Sequence, residues 1–295
     1  MEEKERNIIL RSAKDTITPV ELDHGERLEF TLRNGEVRKL ELVSSKARVM
    51  QGDGSAVSQY NFEAVIRIDG ETLTLERIVP AQSSFYEPLE ISGMRVWLDS
   101  VSDIFQKDGG FLLEKDENIG ITCQPRKKAR FAVNDLNDPI CPEIIGPWYP
   151  EVSGYIDITR CYRGENTWMG PFEGRMAHGG LDINMPSGTP LYAPIRFDDH
   201  YLFHSLAAGD NNNRWRGIRK WPDGSVWWLQ AHHLNEMLVP ERCSLAQGVQ
   251  YANTAGVYTG EHEHTHFVFR IFEEGMDYFL DPWIIFWQIF RNRSK

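Results

Sequence analysis

No run in this 295-residue chain approaches the roughly 20 consecutive apolar residues that a membrane helix requires. The densest stretch, Pro282-Trp283-Ile284-Ile285-Phe286-Trp287-Gln288-Ile289-Phe290, is too short for that and follows Asp281, so it is expected to form a buried C-terminal segment. Basic residues are outnumbered: 32 Lys+Arg against 43 Asp+Glu give a net charge of −11 and an acidic pI near 5.3. Such a surface repels phosphates, which excludes nucleic acid and anionic membranes as partners unless a local basic patch intervenes. The best basic run, Arg126, Lys127, Lys128 and Arg130, is interrupted and is expected on a solvated loop or strand edge. Cysteine is scarce too. Cys123, Cys141, Cys161 and Cys243 form no CxxC pair and have no close histidine at zinc-finger spacing. They are expected to be scattered buried thiols, which leaves the compartment open. The start, Met1-Glu2-Glu3-Lys4-Glu5-Arg6, leads into no apolar segment of the kind a secretion signal carries. Either the protein stays inside its cell or the sequence lacks an export segment.

What is present is enough for a packed core: 41% hydrophobic and 12% aromatic residues exclude a disordered or low-complexity chain. The first half alternates with period two around hairpin dipeptides. Arg27–Arg33, Asn34-Gly35 and Val37–Leu42 form one such unit; Phe62–Ile68, Asp69-Gly70 and Thr72–Val79 form a second. This predicts an antiparallel β sandwich or barrel. Turn formers cluster at Asp135–Pro139 and Gly146–Pro150, so the expected division is an accessory β domain over 1–148 and a second domain over 149–295. The second half is also strand-rich, with segments at Pro190–Ile195, Trp215–Lys220, Val226–Ala231 and His264–Phe272 and a turn at Pro222-Asp223-Gly224-Ser225.

Histidine carries the chemistry. Eight of the nine follow residue 177. A lone histidine is an ordinary surface or core residue, so spacing must decide. In His178-Gly179-Gly180-Leu181-Asp182, two glycines let the chain bend until an imidazole and a carboxylate can reach one ion. In His264-Thr265-His266, residues two apart on a strand project to one face, while Phe267 and Phe269 enter the core. His178, Asp182 and one histidine of the second pair supply two nitrogens and one oxygen, leaving a fourth position for water, as in an open catalytic zinc site. Between them lies Leu229-Gln230-Ala231-His232-His233-Leu234, where a non-ligand imidazole could hold the water's proton or stabilise an oxyanion.

These residues resemble a known family. His178-Gly-Gly-Leu-Asp182-Ile-Asn-Met-Pro-Ser-Gly-Thr-Pro-Leu-Tyr-Ala193 is similar to the HxGxD and GTPxxA signature of the lysostaphin-type, LytM-like zinc metallopeptidases. His264-Thr-His266-Phe267 resembles their HLHF, Ala231 to Leu234 their AHL, and Leu280-Asp281-Pro282 their closing DP segment. The upstream Gly170-Pro171-Phe172-Glu173-Gly174-Arg175 also resembles the approach to that fold. The likeness covers roughly residues 160 to 290, with four motifs in the family's order. It implies an antiparallel β-sheet metallopeptidase domain, one Zn2+ held by His178, Asp182 and His266, and His264 as the non-ligand first histidine of HxH. It also implies a catalytic histidine at 232 or 233. His233 is preferred because it precedes Leu234. The implied activity is zinc metalloendopeptidase, the implied partners are peptidoglycan stem peptides or cross-bridges, and the implied location is the cell envelope or outside the cell.

Departures stand beside the likeness. Arg196–Trp228 carries His200, His204 and four tryptophans where the family's segment is plain, and aromatics there could line a groove or fill the core. His262 could compete for metal. Arg270 shares the metal-side face and could take a substrate carboxylate, although an ion pair is the simpler expectation. A non-catalytic binding or regulatory protein on the same scaffold is the alternative, against which every expected ligand is present. A cupin-like site would want a Glu four or five residues after HxH, where Arg270 and Ile271 stand instead.

Overall fold

The computed structural model describes residues 7–49, 60–79, 87–102, 125–150, 168–169, 172–173, 176–177, 180–204, 213–255 and 264–293. The protein is mostly β, built from antiparallel sheets as the sequence predicts, with one short helix among the described residues. Its described residues pack as two units. One holds those up to 142 together with 172–173 and 176–177; the other holds the remainder from 143 onward.

Elements are numbered along the chain. In the first unit β1 (Ile8–Ser12), β3 (Arg27–Thr31), β4 (Val37–Val49), β5 (Tyr60–Ile68) and β6 (Glu71–Val79) make a five-stranded sheet in the order β1-β3-β4-β5-β6. A four-stranded sheet follows the order β2-β9-β8-β7, from β2 (Thr18–Leu22), β7 (Leu89–Ile91), β8 (Met94–Val101) and β9 (Ala129–Asp135). Strand β8 packs on β4, β5 and β6. Between the sheets Phe30, Leu40, Phe62, Ile66, Leu98 and Phe131 are buried. Asp69 and Gly70 both take positive φ, 48° and 96°, the hairpin geometry that matches strand twist and that Asp-Gly tolerates. One pairing departs from the antiparallel expectation, since β1 runs parallel to β3. The intervening β2 belongs to the other sheet, so the chain crosses over and returns in the same direction. Arg130 is the other correction. Expected at a solvated edge, it is buried, with Nε donating to Asp99 at 2.6 Å and a guanidinium nitrogen 3.5 Å from Glu21, and these carboxylates offset the cost of desolvating it.

The second unit is built on β10 (Trp168–Met169), β13 (Leu181–Asn184), β15 (Asp199–Phe203), β16 (Asn213–Lys220), β17 (Val226–Leu234), β19 (His264–Glu273) and β20 (Met276–Leu280). Their order is β10-β13-β19-β17-β16-β15, with β20 paired to β19. A two-stranded piece joins β14 (Pro190–Tyr192) to β18 (Gln250–Asn253); β11 (Phe172–Glu173) pairs with β12 (Met176–Ala177) and belongs to the first unit. Odd-numbered residues of β17 and β19 form the core: Trp227, Leu229, Ala231, Phe267, Phe269 and Ile271 are fully buried. Phe267 lies between Trp148, 4.6 Å away by ring centroids, and Phe286 at 5.4 Å. Trp148 donates its indole N–H to the buried Tyr251 hydroxyl at 2.9 Å. Cys141 is buried, whereas Cys243 is exposed, against the expectation of four buried thiols; Cys123 and Cys161 lie outside the described residues.

The apolar C-terminal run becomes helix α1 (Trp283–Arg293), with Trp283 to Ile289 all buried. No helix among the described residues is long and apolar enough to cross a membrane. The helix starts where it does because Asp281 accepts the Trp283 N–H at 2.9 Å on its side chain and Pro282 presets the first turn. Replacing Asp281 by Ala should therefore cost about 1 kcal/mol, read as a lower urea midpoint with an unchanged slope.

Candidate active site

Three neighbouring antiparallel strands set the site. Their register places Asp182 of β13 opposite His266 of β19, and His266 opposite His232 of β17. Two residues along, Asn184 stands opposite His264. Cross-strand partners share a face, as do residues two apart on one strand. The register thus gathers His264, His266 and His232 on one side while Phe267 enters the core. The His232 and His266 rings are 4.7 Å apart and nearly parallel, at 30°.

Simple alternation would send His233 to the opposite side. It does not go there, because the β16–β17 pairing slips at this point: His232 faces Arg214 and Leu234 faces Asn213, leaving His233 as the extra residue of a bulge. Its φ of 64° lies in the left-handed region, where a non-glycine residue costs roughly 1–2 kcal/mol. The result is a His233 ring 4.7 Å from that of His264, edge to face at 78°, and 6.4 Å from that of His266.

Hydrogen bonds hold the bulge. The His233 carbonyl accepts the Ala255 N–H at 2.7 Å and the Thr254 hydroxyl at 3.4 Å. Thr254 in turn accepts the Thr265 hydroxyl at 2.9 Å, and both threonines are fully buried. Thr265 is the middle residue of His264-Thr265-His266. The strand bearing that pair is tied through two hydroxyls to the backbone of His233. Sequence reasoning passed over both threonines; the only signal was a polar residue at a position whose alternation faces the core.

Gly180 is needed for close approach. A Cβ placed there would lie 2.1 Å from the Phe267 carbonyl oxygen and 2.6 Å from His266 Nε2. Only a glycine lets the His266 ring lie against the backbone leading into Asp182. His178, the side chain of Asp182 and His262 lie outside the described residues. Among the described side chains no three His, Cys, Asp or Glu groups close on one ion.

Two other histidines are not brought to the site. His204 is exposed beyond β15. His200 is fully buried, with Trp215 Nε1–H donating to its Nδ1 at 3.4 Å and Cys243 Sγ 3.8 Å from its Nε2. Burial lowers its pKa from 6.5, against the nearby charges of Asp199 and Glu241, which raise it.

Further along the histidine face lies a group of arginines and aromatic rings. Arg270 is bound to Asp277 through two nitrogens and lies 5.0 Å from the Trp228 ring, so the ion-pair reading of Arg270 is the one the structure contains. The Arg216 guanidinium is 4.2 Å from the Trp228 centroid, 5.2 Å from Phe203 and 5.6 Å from Tyr201, whose hydroxyl accepts from Nη1 at 2.8 Å. Desolvation lowers its pKa, though a guanidinium stays charged at any physiological pH. Of the four tryptophans in this region, Trp215 and Trp227 are fully buried and Trp221 nearly so, while Trp228 is half-buried on this face.

The chain is similar to several solved peptidases. A candidate glycyl-glycine endopeptidase LytM from Ruminococcus gnavus matches at 14% identity over 38% of this chain and 47% of its own length, with a TM-score of 0.28. The lysostaphin catalytic domain from Staphylococcus simulans matches at 18% identity over 49% of this chain and 89% of its own, at 0.30. A zinc-containing peptidase from Vibrio cholerae matches at 12% over 89% of this chain and 83% of its own, at 0.32. The chain thus spans about half the length of the first of these. No protein-family model matches the chain, and no curated protein does. These likenesses are remote.

Two outcomes follow. Gly180→Ala should destabilise the fold by about 1–3 kcal/mol, because backbone must move to admit the methyl; urea unfolding measures it. For His200 the folded pKa lies below the unfolded 6.5. The stability its neutral burial contributes is whole above about pH 6.5 and is lost as pH falls below that value. Between about pH 7.5 and about pH 5.5, the urea midpoint should therefore fall further in the wild type than in His200→Gln.

Proposed function

We propose that this protein is a zinc metalloendopeptidase that hydrolyses peptide bonds, with peptidoglycan stem peptides or cross-bridges as its substrates and the cell envelope or exterior as its place of work. In this reading the catalytic domain is residues 149–295, and residues 1–148 are an accessory β domain. The observation that supports it best is the pairing of His233 with His264, 4.7 Å apart beside the Asp182–His266–His232 row.

The donor set suits zinc. Asp182 and His266 occupy opposite register positions, Gly180 leaves room for the His266 ring, and His178 precedes Asp182 by four residues. His178, Asp182 and His266 would hold the ion, as the motif resemblance implies. Bound there, Zn2+ supplies Lewis acidity that polarises a scissile carbonyl and lowers the pKa of water to about 7. The chain's own residues do the rest. His233 takes the proton of the attacking water and delivers it to the departing amine, and His264 donates to the oxygen on which charge develops. Two imidazoles side by side suit this division of roles. The bulge serves the chemistry by holding one of them in a conformation the backbone would otherwise avoid.

Metal analysis of protein purified without added zinc tests the ion: about one zinc per chain is expected in the wild type and none in His178→Ala or Asp182→Ala. A wild type that takes up no zinc even when supplied overturns the reading. His233→Gly tests the proton pair. It should abolish cleavage of peptidoglycan or glycine-rich peptides while leaving stability unchanged or raised by up to ~1 kcal/mol, because glycine relieves the left-handed strain. Retained cleavage would remove His233 from the mechanism.

A further inference from the structure

We propose that Arg216 is a carboxylate-binding subsite on the same sheet face, so that the preferred substrate is a peptide bearing an acidic group a short distance from the bond cut. This inference rests on the peptidase reading and narrows it.

The argument begins with charge. The chain carries −11 overall, and several arginines of this unit are paired with carboxylates. Arg270 is bound to Asp277. Arg219 bridges Asp198 at 2.9 Å and also pairs with Glu143. Arg216 has no carboxylate partner among the described residues. Its Nη1 donates to the Tyr201 hydroxyl, a neutral acceptor, and its Nε is buried with no acceptor among the described residues. A half-buried cation with no carboxylate bound to it is costly, and the nearby charge of Asp277 offsets part of that cost.

Its surroundings point to a ligand more than to a structural role alone. Trp228 lies 4.2 Å from the guanidinium, and Phe203, 48% exposed, lies 5.2 Å from it, so the cation is held in place by rings and one of these is open to solvent. A planar guanidinium matches a carboxylate. Neighbouring Arg270 adds positive potential, although Asp277 offsets it.

Position completes the case. Arg216 stands opposite Gln230, two residues along β17 from His232, and Trp228 is two further on, all at even-numbered positions of the histidine face. Strand spacing puts the guanidinium about 7–13 Å along the sheet from His232, which is about two to four residues of extended peptide.

A calorimetric binding series tests this. N-acetylated, C-terminally amidated penta-alanine peptides carry a single Glu moved through the five positions, each with a Gln counterpart; a parallel all-alanine pair ends in a free acid or an amide. The wild type should bind one acidic member about 10-fold or more tighter than its neutral counterpart, the range of a charge-assisted hydrogen bond. The identity of that member says whether a side chain or a chain terminus supplies the carboxylate. In Arg216→Ala the ratio should fall to about one, and Arg216→Lys should keep part of it, with thermal melts confirming that both variants fold. A ratio that survives in Arg216→Ala, or a wild type that binds every acidic member no better than its neutral counterpart, overturns the proposal. Failure of the peptidase reading looks different: the acidic peptide binds with its Arg216-dependent preference and is not cut.

Discussion

The site depends on the register of β13, β19 and β17. Hydrogen bonding fixes Asp182, His266 and His232 as cross-strand partners, and a one-residue slip would turn every second side chain to the other side of the sheet. That register is enforced from below. Phe267 and Phe269 of β19, with Leu229 and Ala231 of β17, are fully buried and cannot exchange faces with the histidines without exposing aromatic and aliphatic surface. Helix α1 adds to the constraint, because Phe286 packs on Phe267 one residue from His266. Burial of the core and placement of the imidazoles are thus one event.

Onto this regular frame the protein adds one irregularity, and it adds it at the site. A continuous ladder would leave His233 on the core side. The bulge spends roughly 1–2 kcal/mol of left-handed backbone strain to turn that ring toward His264, and the Thr265–Thr254–His233 chain of hydrogen bonds holds the turn from two directions. Strain of this kind persists only where the surroundings over-determine it. Here they do, and the residue that begins the relay lies inside the motif that carries His264 and His266.

Much of the fold was legible in the sequence for local reasons. Asn34-Gly35 and Asp69-Gly70 announce hairpins because few other dipeptides accept positive φ, and the alternation of β17 and β19 separates core from site face residue by residue. That same alternation distinguishes buried Trp227 from half-buried Trp228. What it cannot show is an inserted residue. Period two assigns His232 and His233 to opposite faces, and only the slipped pairing with β16 brings both rings into one group. Likewise β1 and β3 read as ordinary strands, while their parallel pairing depends on β2 joining another sheet. Non-local pairing of this kind leaves no local mark. His200 shows the converse: among eight clustered histidines it is a core residue behind Trp215, and spacing alone does not separate packing from chemistry.

The two ends of the histidine face have different physical characters, and the difference bears on how a peptide would lie. At one end stand the imidazoles of His232, His233, His264 and His266. At the other, Arg216 and Arg270 keep their charge throughout and are held by rings, which order them at little further entropic cost. Under the proposed function, a peptide bridging the two would be anchored at the arginines and acted on at the imidazoles. In that proposed reading, binding energy gained at the remote anchor would position the scissile bond against His233 and His264, where small displacements matter most. A sheet serves this arrangement well, because strand spacing fixes the distance between anchor and chemistry without any loop having to close.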